Sequence, residues 1–249
     1  MTIDVSYTDD DSLYEGKAKY LFEVEDSGEH LVQRFKDDAT AFNGKKFAQF
    51  EGKGVLNCAF TTHFFDALND AGVDTHFHGR LNETDMLIER LEIVPLEVVV
   101  RNVVAGSLSD RTGLDEGTPM EEPIVETFYK KDDLDDPILC DCHVEMLDLV
   151  EPDQLRQLKS AALEVNDVIE PMFAEAGMRL IDFKLEFGFN AAGALVLGDE
   201  ISPDTCRIWD AEDDRHLDKD VFRRDLGDLI ETYEEVAGRL GVQVELIED

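Results

Sequence analysis

The sequence predicts an α+β protein with two lobes. Strand-like segments come first and are followed by a mixture of helices and hairpins, an order that does not build a parallel sheet. The only glycine-rich turn near a strand start, "YEGKAK", fits neither the dinucleotide fingerprint nor the Walker A pattern. A Rossmann-type sheet is therefore not expected.

The division expected along the chain is an acidic N-terminal tail over 1–12, a β-rich lobe over 13–93 and a larger α+β lobe over 94–249. "LYEGKAKYLFEV", from residue 13, reads as a turn running into a strand. Ala18, Tyr20, Phe22 and Val24 lie on one side, Lys17 and Lys19 on the other. "EHLVQRFKDD" is its hairpin partner across "EDSG". A helix is expected over 53–71, with Val55, Leu56, Ala59, Phe60, His63, Phe64, Ala67 and Leu68 on one stripe and Gly72 ending it.

Strands follow at 74–79, 86–93 and 95–102. Residues 105–137 are rich in Gly, Pro and acids and read as mostly loop. A helix over 153–176 turns Leu155, Leu158, Ala162, Val165, Ile169 and Phe173 inward, and Pro171 should kink or break it. "RLIDFKLEFGFN" and "ALVLGDEIS" form a hairpin across "AAG". The last helix, over about 218–239, is expected to bury Phe222, Leu226, Leu229, Ile230, Tyr233, Val236 and Leu240.

Composition narrows the function. The 249 residues carry 58 Asp plus Glu against 23 Lys plus Arg, a net charge of -35. A hydrophobic content of 43% is enough for a folded core. The charge argues against nucleic acid as a partner, which needs a basic footprint. No run approaches the roughly 18 apolar residues of a membrane span, and "MTIDVSYTDDDS" lacks the basic and apolar regions of a signal peptide. A cytoplasmic protein without a membrane partner is expected. The acids are spread along the chain rather than gathered in one block, which favours a soluble enzyme suited to high salt over an acidic interaction protein. Composition leaves a homo-oligomer open.

Four cysteines are too few for a disulfide scaffold. The "CDCH" run (Cys140, Cys142, His143) has no standard zinc spacing and reads as reduced thiols in a turn. His76 and His78, on one strand face, read as a solvated pair, and His63 on the apolar stripe reads as a core histidine.

Three clusters could carry chemistry. Lys17 and Lys19 flank Ala18 beside Gly16, where backbone N–H groups could approach a phosphate. In "IDFKLEFG" the strand period puts Asp182, Lys184 and Glu186 on one face and Phe183, Leu185 and Phe187 on the other. Across the hairpin, Asp199 of "LGDE" falls near Glu186. Two such carboxylates repel unless a cation lies between them, and Mg2+ takes one or two carboxylates plus phosphates. A surface ladder of ion pairs is the plainer alternative. In the third cluster Arg101 ends an apolar strand just before "AGS" with Ser107, and the turn "SPDTCR" delivers Arg207; an Arg fork suits phosphate or carboxylate.

Taken together, "LYEGKAKYLF", "FKDDATAFNGKK", "GKGVLN", "PLEVVVRNVVAGSL", "DFKLEFG", "LGDEISPDTCRIWD" and "DKDVFRRDLGDLIETYE" resemble, in order, the phosphoribosylaminoimidazole-succinocarboxamide synthase family. The resemblance covers residues 13 to about 242. It implies a two-lobed fold related to ATP-grasp enzymes, with an antiparallel N-terminal β lobe holding ATP and a larger α+β lobe. It implies ligation of L-aspartate to an imidazole carboxylate ribotide at the expense of ATP.

By matching position, the resemblance implies that Lys17, Ala18 and Lys19 hold ATP phosphates, that Lys130 contacts the nucleotide, and that the backbone around Glu89 to Leu91 meets adenine. Glu186 and Asp199 would carry Mg2+. Arg101, Ser107 and Arg207 would bind the ribotide, and Asp182 and Lys184 would face the reacting centre. The chain departs from the family pattern at Ser109 and Asp110, at Glu122 and Pro123, and in "LCDCH", none of them a residue expected to do chemistry. A small-molecule kinase would need the same ATP grip. The extra basic groups Arg101, Arg207, Lys184 and Arg223 favour a ligase with a second anionic pocket.

Overall fold

The computed structural model describes residues 5–8, 12–41 and 44–245. Part of the acidic tail, 1–4 and 9–11, lies outside them, as do Phe42 and Asn43 of the "FKDDATAFNGKK" stretch. Of the described tail, Tyr7 bridges Val24, and its ring packs on Phe22 with 5.9 Å between centroids.

The first sheet has five strands in the order β1(Tyr14–Glu15), β2(Lys19–Glu23), β3(His30–Phe35), β7(Asp85–Glu89), β6(Phe77–Arg80), all antiparallel. A separate hairpin joins β4(Asp38–Ala41) and β5(Lys46–Gln49). The second sheet runs β10(Ile138–Leu139), β9(Pro119–Tyr129), β8(Glu92–Val103), β11(Met178–Phe189), β12(Leu195–Gly198), with β13(Cys206–Asp210) also paired to β11. The α+β, antiparallel expectation agrees with this architecture.

Helix α1(Lys53–Asp70) touches β3 and β6 on one side and helices α4(Pro152–Glu175) and α6(Leu229–Leu240) on the other. That position explains why it buries residues almost all round, Phe65 and Asn57 as well as the Leu56, Phe60 and Phe64 stripe. One continuous apolar core runs from Leu31 and Phe35 of the first sheet through α1 to Val98, Phe183 and Leu185 of the second.

Three sequence expectations need correction. Residues 105–137 are not mostly loop: they hold α2(Ser107–Thr112), the eleven-residue β9 and a 3-10 turn, Asp132–Leu134. Pro119 and Pro123 hid β9, whose first half is largely exposed and tolerates them beside the β8 ladder. Pro171 does not break α4. The carbonyl it leaves without a helical partner is that of Asp167, on the exposed face and open to solvent. The last helix is two pieces, α5(Asp220–Arg223) and α6. Asp225 takes a left-handed φ of 55°, Asp228 caps α6 by accepting from the N–H groups of Ile230 and Glu231, and Leu226 is exposed in the gap.

Candidate active site

A cavity of about 1050 Å³ is lined by residues of both sheets. It brings together all the residues to which the family resemblance gave a site role: Lys17, Ala18 and Lys19; Glu89 and Leu91; Lys130; Arg101, Ser107 and Arg207; and the strand-face set with Asp199. The register of β11 explains the arrangement. Asp182 stands opposite Arg101 on β8 and opposite Arg207 on β13. Four residues on, Glu186 stands opposite Glu97 on β8 and Gly198 on β12, which puts Asp199 next door.

At the arginine end, one carboxylate joins two guanidiniums. Arg101 Nη1 donates to Asp182 Oδ2 at 2.8 Å, and Arg207 Nη1 donates to the same oxygen at 2.5 Å. The forks have further acceptors. Arg101 Nε reaches Glu126 at 2.7 Å and Nη2 reaches Ser107 Oγ at 3.1 Å, while Arg207 Nε reaches Asp220 at 3.2 Å. Gly106, at φ 51°, lets the Arg207 guanidinium close in: a Cβ there would sit 2.8 Å from Nη2. Burial pushes the Asp182 carboxyl up from its ordinary value, against the pull of Arg207 and Arg101.

At the lysine end the charges interleave. Lys184 Nζ donates to Glu186 at 2.6 Å and to Glu97 at 3.1 Å, and lies 3.6 Å from Asp199. Lys130 pairs with Glu186, and Lys19 pairs with Asp199 and, at 2.9 Å, with Glu200. Burial opposes charge on Lys184, yet Glu186, Asp199 and Glu97 hold its ammonium well above the usual lysine range. Burial likewise opposes charge on Asp199, but Lys19, Lys184 and Lys130 hold it well below the usual carboxylate range. Both remain ionised at neutral pH.

The lysine pair at the chain start is split. Lys19 opens β2 and is mostly buried, whereas Lys17, in the turn before it, is half exposed and pairs with Asp132 at 2.6 Å. Glu89 ends β7, its N–H donating to the His76 carbonyl at 2.6 Å. Leu91 follows, where β11 passes so close that a Cβ on Gly188 would lie 2.8 Å from the Leu91 side chain.

Sequence reasoning missed several groups that line the cavity or support its lining. Glu97 was within reach, since it lies four residues before Arg101 on the same face of β8. Glu126 was hidden by the misread β9. A buried cluster of four had no sequence signal. Lys53 Nζ lies 2.7 Å from Asp204 Oδ2, Lys219 Nζ lies 3.2 Å from the same oxygen, and Tyr233 donates to the other oxygen at 2.6 Å. His76 is not solvated. It is buried in the cavity wall, where burial pushes its imidazole down to about 3, so it is neutral.

Comparison with known proteins shows the family. The family described as SAICAR synthetase matches residues 12–240. The chain is 54% identical to the phosphoribosylaminoimidazole-succinocarboxamide synthase of Exiguobacterium sibiricum over 92% of its own length and 97% of that protein's. The synthase of Thermococcus kodakarensis is 53% identical, over 92% and 96%. Among solved structures, a SAICAR synthetase in complex with ADP superimposes with a TM-score of 0.88 at 50% identity, covering 91% of this chain and 96% of that one. The enzyme of Ehrlichia chaffeensis gives 0.90 at 41% identity, over 94% and 99%.

Proposed function

Because the chain belongs to the SAICAR synthetase family, we propose that the cavity lined by its two sheets is where its reaction takes place. The protein is an ATP-dependent carboxylate–amine ligase of purine biosynthesis. It joins L-aspartate to 5-amino-1-(5-phosphoribosyl)imidazole-4-carboxylate, giving the succinocarboxamide ribotide, ADP and phosphate. The observation that carries the site is Lys184, an ammonium fixed among three carboxylates between the nucleotide-side lysines and the arginine pair.

A carboxylate resists attack by an amine until one oxygen is turned into a leaving group. Phosphoryl transfer from ATP to the ribotide carboxylate does this, and the aspartate amine then displaces phosphate from the acyl phosphate. Catalysis is mostly positioning and neutralisation of charge on the phosphoryl group. Lys17, Ala18 and Lys19 hold the ATP phosphates from the turn before β2. Lys130 contacts the nucleotide, and the backbone from Glu89 to Leu91 meets the adenine edge. Arg101, Ser107 and Arg207 bind the anionic groups of the ribotide. Asp182 orients both guanidiniums, which gives it a definite role in this reading. Lys184 neutralises charge at the reacting centre.

Glu186 and Asp199 are the residues that would hold Mg2+. The donor set fits, since hard carboxylate oxygens suit this ion and the lysines around Asp199 keep that carboxylate ionised. When bound, Mg2+ supplies charge neutralisation across the phosphates during transfer. We divide the chain into a nucleotide lobe over 13–93 and a substrate and metal lobe over 94–249. We assign the enzyme to a cytoplasm rich in salt, where its charge of -35 is screened.

The decisive experiment measures ADP release with ribotide and L-aspartate, singly and together, across a series of KCl concentrations. Release is expected only with both substrates and should rise with salt. Full release without aspartate would indicate phosphorylation with no amine donor, and a rate indifferent to KCl would remove the high-salt assignment.

A further inference from the structure

Cys140, Cys142 and His143 lie outside the cavity, at the turn from β10 into the short helix α3(Asp141–Met146). All three side chains are exposed. The sulfurs of Cys140 and Cys142 are 2.9 Å apart, and a ring nitrogen of His143 lies within 4.8 Å of both. The backbone holds this grouping. The N–H groups of His143 and Val144 both donate to the Cys140 carbonyl, at 2.8 and 3.2 Å, and fully buried Val144 pins the helix to the core. The intervening Asp141 is turned away into an ion pair with Lys159.

We propose that Cys140, Cys142 and His143 form a binding site for a thiophilic d10 cation, with Zn2+ as the biological occupant. Two thiolates and an imidazole are soft to borderline donors, which select such ions over Mg2+ or Ca2+. A tetrahedral zinc with sulfurs at about 2.3 Å separates them by roughly 3.8 Å. Small side-chain rotations from the present spacing reach that value, because both groups are on the surface and nothing encloses them. Binding releases one proton from each thiol to solvent, and the fourth position stays open to water. The C-x-C-H spacing lacks the two-residue spacer of zinc fingers, so sequence spacing argued against a metal. The turn into α3 overcomes this by bringing positions one, three and four to one place.

The remaining such cluster among the described residues, His216, Asp218 and Asp220, is a poorer candidate. Asp220 already serves Arg207 and Arg223, and Asp218 accepts from the N–H groups of Ile208 and Asp220. Nor can the other two thiols compete, as Cys58 and Cys206 are buried.

The test titrates the full chain, reduced with a phosphine and stripped of metal, with Cd2+ as an optical probe and then Zn2+ against a chromophoric chelator. One equivalent should bind with a thiolate-to-metal charge-transfer band, and excess Mg2+ should not displace it. Cys140→Ser and Cys142→Ser should each weaken binding about tenfold or more and diminish the band, with far-UV circular dichroism and ADP release in Mg2+ without added Zn2+ or Cd2+ unchanged. His143→Ala should keep the band and weaken affinity. Uptake without a charge-transfer band would overturn the site. So would a band surviving the double serine variant, or affinity unchanged in His143→Ala. A loss of two reactive thiols to a disulfide while metal is on offer would overturn it as well.

Discussion

The two ends of the cavity solve the burial of charge in opposite ways. At one end two arginines share the Asp182 carboxylate, and each fork also reaches a second acid, Glu126 or Asp220. At the other, the ammoniums of Lys19, Lys130 and Lys184 interleave with Glu186, Asp199, Glu97 and Glu200. A guanidinium is a rigid, planar fork, so it keeps its protein partner and still offers N–H groups to a ligand. An ammonium on a flexible stem is a point charge that can leave one oxygen for another. The arginine end is therefore preorganised for a ligand of fixed shape. The lysine end is exchangeable: in the proposed reaction its carboxylates would pass to Mg2+ while its lysines turn to the phosphates.

The largest expected effect comes from Glu186→Gln. It removes charge from the centre of the exchangeable end, where Lys130 and Lys184 converge. Turnover should fall by about 10²–10³ or more, the usual scale for losing a preorganised electrostatic group at a transition state. Steady-state kinetics with Mg2+ present, alongside circular dichroism, checks it. Near-normal turnover in a folded variant would overturn the proposed metal role of Glu186 and break the contrast between the ends.

Next in size is Arg207→Lys, which keeps the charge and loses the fork. The KM for the ribotide should rise about ten- to a hundredfold, equivalent to about 1.4–2.8 kcal/mol, with little change in the KM for ATP. Equal losses for both substrates would mean that the arginine end is not a separate ribotide pocket. Gly106 sharpens the same point, because its missing Cβ is what admits the guanidinium.

A smaller effect should appear in pH dependence behind the arginine end. The Asp218 carboxyl is buried and beside Asp220, and is pushed up to about 7 from an ordinary value of 3.8. Between those values the folded chain holds a proton that the unfolded chain has lost. Its contribution to stability is thus present at low pH and declines as pH rises through that window. Asp218→Asn should flatten the decline, so that the melting temperature falls less than in the unaltered protein from about pH 4 to about pH 7. An unchanged slope would show that Asp218 titrates normally. No similar slope is expected from Asp199, which stays ionised throughout this range.

How much of this contrast could be read from the chain depends on sequence distance. Strand alternation placed Asp182, Lys184 and Glu186 on one face, and a hairpin carried Asp199 to Glu186, because both relations are local. The pairing of Arg101 and Arg207 with Asp182 is not local. It depends on the registers of β8 and β13 against β11, which packing sets. Glu126 stayed hidden because the prolines of β9 made a strand look like a loop. Lys53, Asp204 and Lys219 come from α1, a turn and the approach to α5, and no pattern in the chain links them. The family resemblance bridged part of that gap by supplying residues whose neighbours could not be inferred.

The smallest effect should come from Lys17→Ala, and it tests how far the exchangeable end extends. Lys17 pairs with Asp132 at 2.6 Å, but their side chains are 48% and 64% exposed, against 14% for Lys19. An exposed pair contributes about 0–1 kcal/mol, so the melting temperature should barely change. A partly hydrated ammonium is also a weaker phosphate ligand than a buried one, since water competes and salt screens it. The KM for ATP should accordingly rise by less than about tenfold, with the difference shrinking as KCl is raised, while kcat changes little. Lys19→Ala should do much more, because it strips the cation from Asp199 and Glu200 in a buried setting. If Lys17→Ala instead cut turnover as deeply as Glu186→Gln, the turn before β2 would have to close over the nucleotide and exclude water during the reaction. The exchangeable end would then be a covered site, and exposure without ligand would no longer rank its lysines.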